Sequence, residues 1–109
     1  MSDDDANQIE VPASFQAVYT VRDRLTRKGD ALRARYEVCE DLAQQLIETA
    51  QHLHHDLGVS QDEVLRRMLT GLVTPEAGFE PGEPAWLLQR LAELLGWAWP
   101  GLDELAAPG

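Results

Sequence analysis

The apolar positions of this chain fall into three stripes of helical spacing separated by short polar breaks. In the longest, Leu32, Tyr36, Cys39, Ala43, Leu46, Ala50, Leu53 and Leu57 follow at steps of four, three, four, three, four, three and four residues, flanked by Leu42 and Ile47. Such steps keep one edge of an α-helix apolar, so one helix is predicted over about 31–57, roughly 40 Å at ~1.5 Å per residue. Cys39, Ala43 and Ala50 are small enough to let another helix approach closely. Gly29 and Asp30 read as a break followed by an N-cap, and Gly58 as a left-handed stop.

The second stripe opens on Ser60-Gln61-Asp62-Glu63, spaced as a capping box, and predicts a helix over about 61–73. Val64, Leu65, Met68, Leu69, Leu72 and Val73 form its wide apolar face, with Arg66 and Arg67 opposite. Thr74-Pro75 and the Gly78–Gly82 stretch read as a loop, and Pro84 suits the first turn of a third helix over about 84–95 that ends at Gly96. Pro100 and Gly101 leave one short turn around Leu102 to Leu105. Val11 to Val21 fits both a helical stripe and a two-residue alternation, and is expected to form a short helix or irregular hook that docks Phe15 and Tyr19 on the core. Arg22 to Gly29 reads as a basic linker. The expected fold is an all-α compact bundle of one long and two shorter helices with N- and C-terminal hooks. Residues 1–10 are expected to form a flexible acidic tail, 11–105 a single helical domain and 106–109 a flexible end.

Composition narrows this picture. A length of 109 residues with 44% apolar content supports one modest core, and 16 Leu and 13 Ala against few β-branched residues favour helices. One cysteine, Cys39, excludes an intramolecular disulfide and fits a reducing compartment such as the cytoplasm. No apolar run approaches the roughly 18 residues a bilayer span needs, and no basic-then-apolar leader opens the chain, so a soluble, unsecreted protein is expected. The net charge of −10 argues against direct nucleic-acid binding and against adsorption to anionic lipid. That charge is uneven. Arg22, Arg24, Arg27, Lys28, Arg33 and Arg35 make residues 22–35 basic, while the segments on either side are acidic.

The runs Gln8-Ile9-Glu10-Val11-Pro12-Ala13-Ser14-Phe15 with Tyr19, Ala34-Arg35-Tyr36-Glu37-Val38-Cys39-Glu40-Asp41-Leu42-Ala43, Leu57-Gly58-Val59 and Arg90-Leu91-Ala92-Glu93-Leu94-Leu95 resemble a family of short bacterial proteins loosely labelled ATPases with chaperone activity. The resemblance spans nearly the whole chain and implies a chaperone-like accessory role, but its motifs are structural and bring no catalytic residues. Phosphate cradling needs a loop of the form G-x-x-x-x-G-K-[ST]. The only lysine is Lys28, in Arg27-Lys28-Gly29-Asp30, so no nucleotide cofactor is expected.

Glu48, His52 and either His55 or Asp56 share one helix face at spacings that suit a metal ion, but one helix alone makes a weak site, and a solvated polar stripe ending in histidines, which suit a helix C-terminus, explains them better. Cys39 sits among Glu37, Glu40 and Asp41, whose charge opposes a reactive thiolate. The adjacent acids Glu40-Asp41, Asp62-Glu63 and Asp103-Glu104 diverge by ~100° on a helix and read as surface charges. No catalytic residue is expected. The basic cluster should face something anionic, either within the molecule or on an acidic partner. Trp86 shares a helical stripe with Gln89, Arg90 and Glu93, opposite the leucines, and Trp97 extends it past Gly96. That stripe either lies under the Val11–Val21 hook or forms a contact surface in which Arg90 stacks on Trp86.

The function this predicts is a non-enzymatic protein-interaction module, an adaptor or chaperone-like accessory protein of the bacterial cytoplasm. Its partner-binding residues would be Arg22, Arg24, Arg27, Lys28, Arg33, Arg35, Trp86, Arg90 and Trp97. A homodimer through the long helix is also expected, because the seam has more apolar length than two shorter helices cover. The alternatives are an acidic nucleic-acid mimic that inhibits or regulates a basic protein and, more remotely, a metal-dependent enzyme.

Overall fold

The computed structural model describes residues 10–106 and is an all-α bundle. Helix α1 (Ala13–Val18) leads into a small antiparallel hairpin, β1 (Thr20–Val21) and β2 (Arg24–Leu25), in register Thr20 to Leu25 and Val21 to Arg24. Helix α2 (Gly29–Gln51) continues into a π-helical turn (His52–Asp56). Then come α3 (Gln61–Leu72), a 3-10 turn (Pro75–Ala77), α4 (Glu83–Leu95) and α5 (Leu102–Ala106). The expected acidic tail and flexible end fall, but for Glu10 and Ala106, outside the described residues. Among those described, no helix is long and apolar enough to cross a membrane.

Helix α4 is the centre of the bundle, with α1, α2 and α3 all packed against it. Its Leu87, Leu88 and Leu91 are shut from water together with Phe15, Leu65 and Leu105. Each such side chain contributes about 1.5–3 kcal/mol by leaving water. The long seam of α2 faces α4 as its spacing requires: Leu32, Cys39, Ala43 and Ala50 are buried, and Tyr36 and Leu46 pack at the edge of the core. At its end the seam breaks. The π turn places one extra residue in the coil, the Leu57 N–H reaches back five residues to the His52 carbonyl, and Leu57 is left 60% exposed. The apolar edge expected to need a second copy is therefore covered within one chain over most of its length.

Four local expectations are corrected. Arg22 to Gly29 is not a plain linker: Arg22 and Asp23 take positive φ (52° and 66°) and close the β1–β2 hairpin, a geometry aspartate tolerates through its short polar side chain. Asp30 is not the N-cap. Helix α2 starts at Gly29, and Asp30 sits in its first turn, where its carboxylate pairs with Arg33 at 2.5 Å. The capping box is half made, since the Glu63 N–H donates to Ser60 Oγ but the Glu63 carboxylate turns to Arg66 and Arg67. Val73 leaves the apolar face, because α3 ends at Leu72. One glycine is required by packing: Gly82, at φ 89°, lies so close to α1 that an added Cβ would meet Val18 Cγ1 at 3.0 Å.

Candidate functional site

The structure resolves the basic cluster into two populations. Arg35 reaches Glu83 with both arms of its guanidinium, Nε to Oε2 at 2.9 Å and Nη2 to Oε1 at 2.6 Å. Glu83 is fully buried at the first turn of α4. Its Oε1 also accepts the Glu80 N–H at 3.0 Å, and its Oε2 meets the Tyr19 hydroxyl. Glu80 completes the set, 2.9 Å from Tyr19 Oη and 2.7 Å from Arg27 Nη2, with the Arg27 guanidinium lying over the Tyr19 ring. Two arginines thus balance two glutamates around one phenol. Burial pulls the Glu83 carboxyl upward, but the Arg35 and Tyr19 hydrogen bonds outweigh it and hold the group below the usual carboxylate range. Burial, reinforced by both carboxylates, raises Tyr19 above its ordinary value.

With both oxygens of Glu83 occupied by donors, this network works as a strut between the hairpin, α2 and α4. The anion that Arg35 demanded is present, but it comes from Glu83, which lies in a Glu-Pro-Gly-Glu-Pro run that reads as a loop; no local signal marks it for burial. By contrast, Arg22, Arg24 and Lys28 are exposed and form no ion pair among the described residues.

The tryptophan stripe is also redistributed. Trp86 is a core residue, 8% exposed, with Phe15 edge-on at 5.0 Å and Tyr36 at 5.8 Å, and its indole N–H donates to Ser14 Oγ at 2.9 Å. Of the two readings of this stripe, the one in which the Val11–Val21 hook covers Trp86 holds, since α1 folds over that side of α4, and Trp86 is not an exposed contact residue. Arg90 does not stack on it. Its guanidinium bonds Glu40 (2.9 and 3.1 Å) and Glu93 (2.5 Å), and Gln44 steadies the Glu40 carboxylate. Trp97 is half-buried against the His54 ring at 5.2 Å.

Glu48, His52, His55 and Asp56 line an open hollow at the π turn, where His52 Nδ1 and Asp56 Oδ2 lie 2.8 Å apart. Among the described residues no group of three or more His, Cys, Asp or Glu is arranged to hold a metal ion. Cys39 is fully buried, and burial, then Glu83, push its thiol up to about 12, far from a reactive thiolate.

What sequence reasoning missed is a groove. The exposed positions of α4 are Gln89 and Glu93, and Ala85, four residues before Gln89, is half-buried. Around Ala85 this stripe floors two adjoining hollows of about 260 and 340 Å³ that share Gly82, Ala85 and Leu102. One is walled by Leu69, Val73 and Phe79; the other runs between α1, at Ala17 and Val18, and Trp99. Val73 and Leu102 are 61% and 42% exposed at its border. The four-residue spacing of Ala85 and Gln89, side chains too small or too polar to anchor a core, was the available signal. Comparison of the chain with family models, curated proteins and solved structures finds no match.

Proposed function

We propose that the protein is a non-enzymatic interaction module, an adaptor or chaperone-like accessory protein of the bacterial cytoplasm. The observation that supports this reading is the division of labour between its side chains. The ionisable groups at the edge of the core (Glu83, Tyr19, Arg35, Glu40, Arg90) are spent on one another, whereas apolar side chains at Val73, Leu102 and Val38 face solvent. Exposed apolar area beside a groove is the mark of a contact surface. The resemblance noted in the sequence points the same way. A phosphate-mimicking surface draws less support, because Glu40, Glu63, Glu80, Glu83 and Glu93 are neutralised by arginines of the same chain.

Site-specific photo-crosslinking in the native host tests this reading, with the crosslinker placed in turn at Val73, Leu102, Val38 and Arg24. A defined protein adduct at one or more of these positions is expected. No adduct at any of the four would overturn the reading.

A further inference from the structure

We infer that the face of the β1–β2 hairpin carrying Val21, Arg22 and Arg24, with Lys28 beside it, docks an acidic segment of another protein, a short run of Asp and Glu interspersed with apolar residues. The inference rests on the interaction-module reading and specifies its site and its partner.

The pattern of ion pairs singles out this hairpin. The chain holds nine Lys and Arg among nineteen Asp and Glu, so a base meets an acid easily. Six of the nine do: Arg27 with Glu80, Arg33 with Asp30, Arg35 with Glu83, Arg66 and Arg67 with Glu63, and Arg90 with Glu40 and Glu93. The three without an ion pair among the described residues are Arg22, Arg24 and Lys28, all exposed and all within one short stretch of chain. The acid in that stretch, Asp23, is also exposed and makes no ion pair among the described residues, so three bases stand against one carboxylate and the surface is left positive.

The backbone holds these side chains in place. Val21 and Arg24 are cross-strand partners and therefore share one face, on which Val21 is 58% exposed. The positive φ values of Arg22 and Asp23 close the turn and set Arg22 at its tip. Thr26 bonds the Tyr19 carbonyl through both its N–H and its hydroxyl, and Arg27 is fastened to Glu80 over the Tyr19 ring, which fixes the segment leading to Lys28.

This surface suits carboxylates carried on a protein. Guanidinium groups bond carboxylates through paired N–H donors, and the Val21 side chain between them offers contact to an apolar residue of the same segment. A nucleic acid fits it less well. Its charge continues along the whole backbone, so beyond three bases it meets a chain of net charge −10. The hairpin carries no aromatic ring, and Tyr19, directly before it, is buried and cannot stack on a base.

The test uses the full chain, labelled with ¹⁵N, a 12-residue peptide of three Glu-Asp-Val-Gly repeats, its neutral Gln-Asn-Val-Gly counterpart and a 12-nucleotide oligothymidine. At 50 mM salt the acidic peptide should shift the amides of Val21, Arg22, Arg24 and Lys28, bind at least tenfold more tightly than the neutral one, and weaken at least threefold at 200 mM salt. Arg22→Asn with Arg24→Gln and Lys28→Gln removes the charge and keeps a turn residue that tolerates positive φ; it should weaken the acidic peptide at least tenfold. Arg67→Gln, which removes an exposed base from α3, should leave binding within twofold. If the triple variant loses its helical circular dichroism, Arg24→Gln with Lys28→Gln replaces it, with at least a fivefold loss expected.

Equal affinity for the acidic and neutral peptides, or full binding to the neutralised variants, would overturn the inference. So would tighter binding of the oligothymidine, which would make the occupant a nucleic acid. Asp3→Asn with Asp4→Asn and Asp5→Asn shifting the Arg22 and Arg24 amides of the free protein would make it the chain's own acids, and a wild-type dimer that the neutralised variants convert to monomer would make it a second copy; either overturns the inference. Photo-adducts at Val73, Leu102 or Val38 with none at Arg24 would remove the hairpin and leave the broader interaction reading standing.

Discussion

The two faces of α4 differ in what covers them. The sealed face carries Leu87, Leu88 and Leu91 together with the ionised Glu83, whose carboxylate accepts four hydrogen bonds. The open face shows Ala85 and Gln89, with Glu93 one turn further on. A charged side chain is retained inside because Arg35 and Tyr19 arrive from other elements to satisfy it; this stripe stays outside because nothing among the described residues packs over it. Chemical richness and accessibility have been separated, so the residues that look most functional hold the fold while the plainest ones are free to meet a partner.

The sharpest way to break this comparison is to remove one side of the sealed pair. Arg35→Ala leaves the Glu83 carboxylate buried without its cation and should cost about 3–5 kcal/mol. For a chain of this size that lowers Tm on the order of 12 °C or more. Urea and thermal unfolding check it. Replacing both partners, Arg35→Met with Glu83→Gln, should recover much of the loss, and a single-variant cost below ~1 kcal/mol would show that the pair is solvated.

Acid should weaken the sealed face next. The folded-state pKa values of Glu83 and Glu40 lie below the unfolded value of about 4.3: in both, burial pulls upward but is outweighed by hydrogen bonds, from Arg35 to Glu83 and from Arg90 to Glu40. Their contribution is therefore complete above that value and is lost as pH falls through the folded values. Alkali acts through the opposite shift. The Cys39 thiol, raised to about 12, favours the folded state below its ordinary value of about 8.5, and that contribution declines as pH rises between the two. Urea midpoints measured from pH 2.5 to 10 should fall at both ends. Cys39→Ala should flatten the decline between about pH 8.5 and 10.

How much of this was legible in the sequence depends on the range of the interaction. The Leu32 to Ala50 seam, the Ser60 N-cap and the left-handed glycines at Gly58 and Gly96 are set by neighbours within one or two turns, and all are found where spacing places them. Glu83 was not legible, because its burial is decided by Arg35, 48 residues away, and Tyr19, 64 residues away. Trp86 was left between two readings for the same reason: a helical wheel of α4 cannot by itself decide that α1 folds across it with Phe15 and Ser14. The hairpin escaped because Arg-Asp is not a residue pair that announces positive φ, and the groove because it is defined by what fails to cover a stripe.

Between the extremes lies the Glu40–Arg90 bridge at the edge of the sealed face, with 16% and 31% of its side chains exposed. Partial solvation screens it, so Glu40→Ala should cost only about 1 kcal/mol in chemical unfolding. A loss as large as that of Arg35→Ala would mean that water does not reach this edge.

The smallest effect is expected on the open face, and it bears most directly on function. Val73→Ser and Leu102→Ser truncate apolar side chains that bury little area, so each should change stability by no more than about 0.5 kcal/mol, as surface substitutions away from special contacts do. A core valine or leucine would cost several times more. A loss above ~1 kcal/mol at either position would mean that in solution these side chains are already covered by the chain itself or by a second copy. Repeating the measurement over a hundredfold range of protein concentration separates the two, because only self-association makes the loss depend on concentration. Near-neutral values at both sites would leave the groove folded, apolar and uncovered, the condition that a contact surface requires.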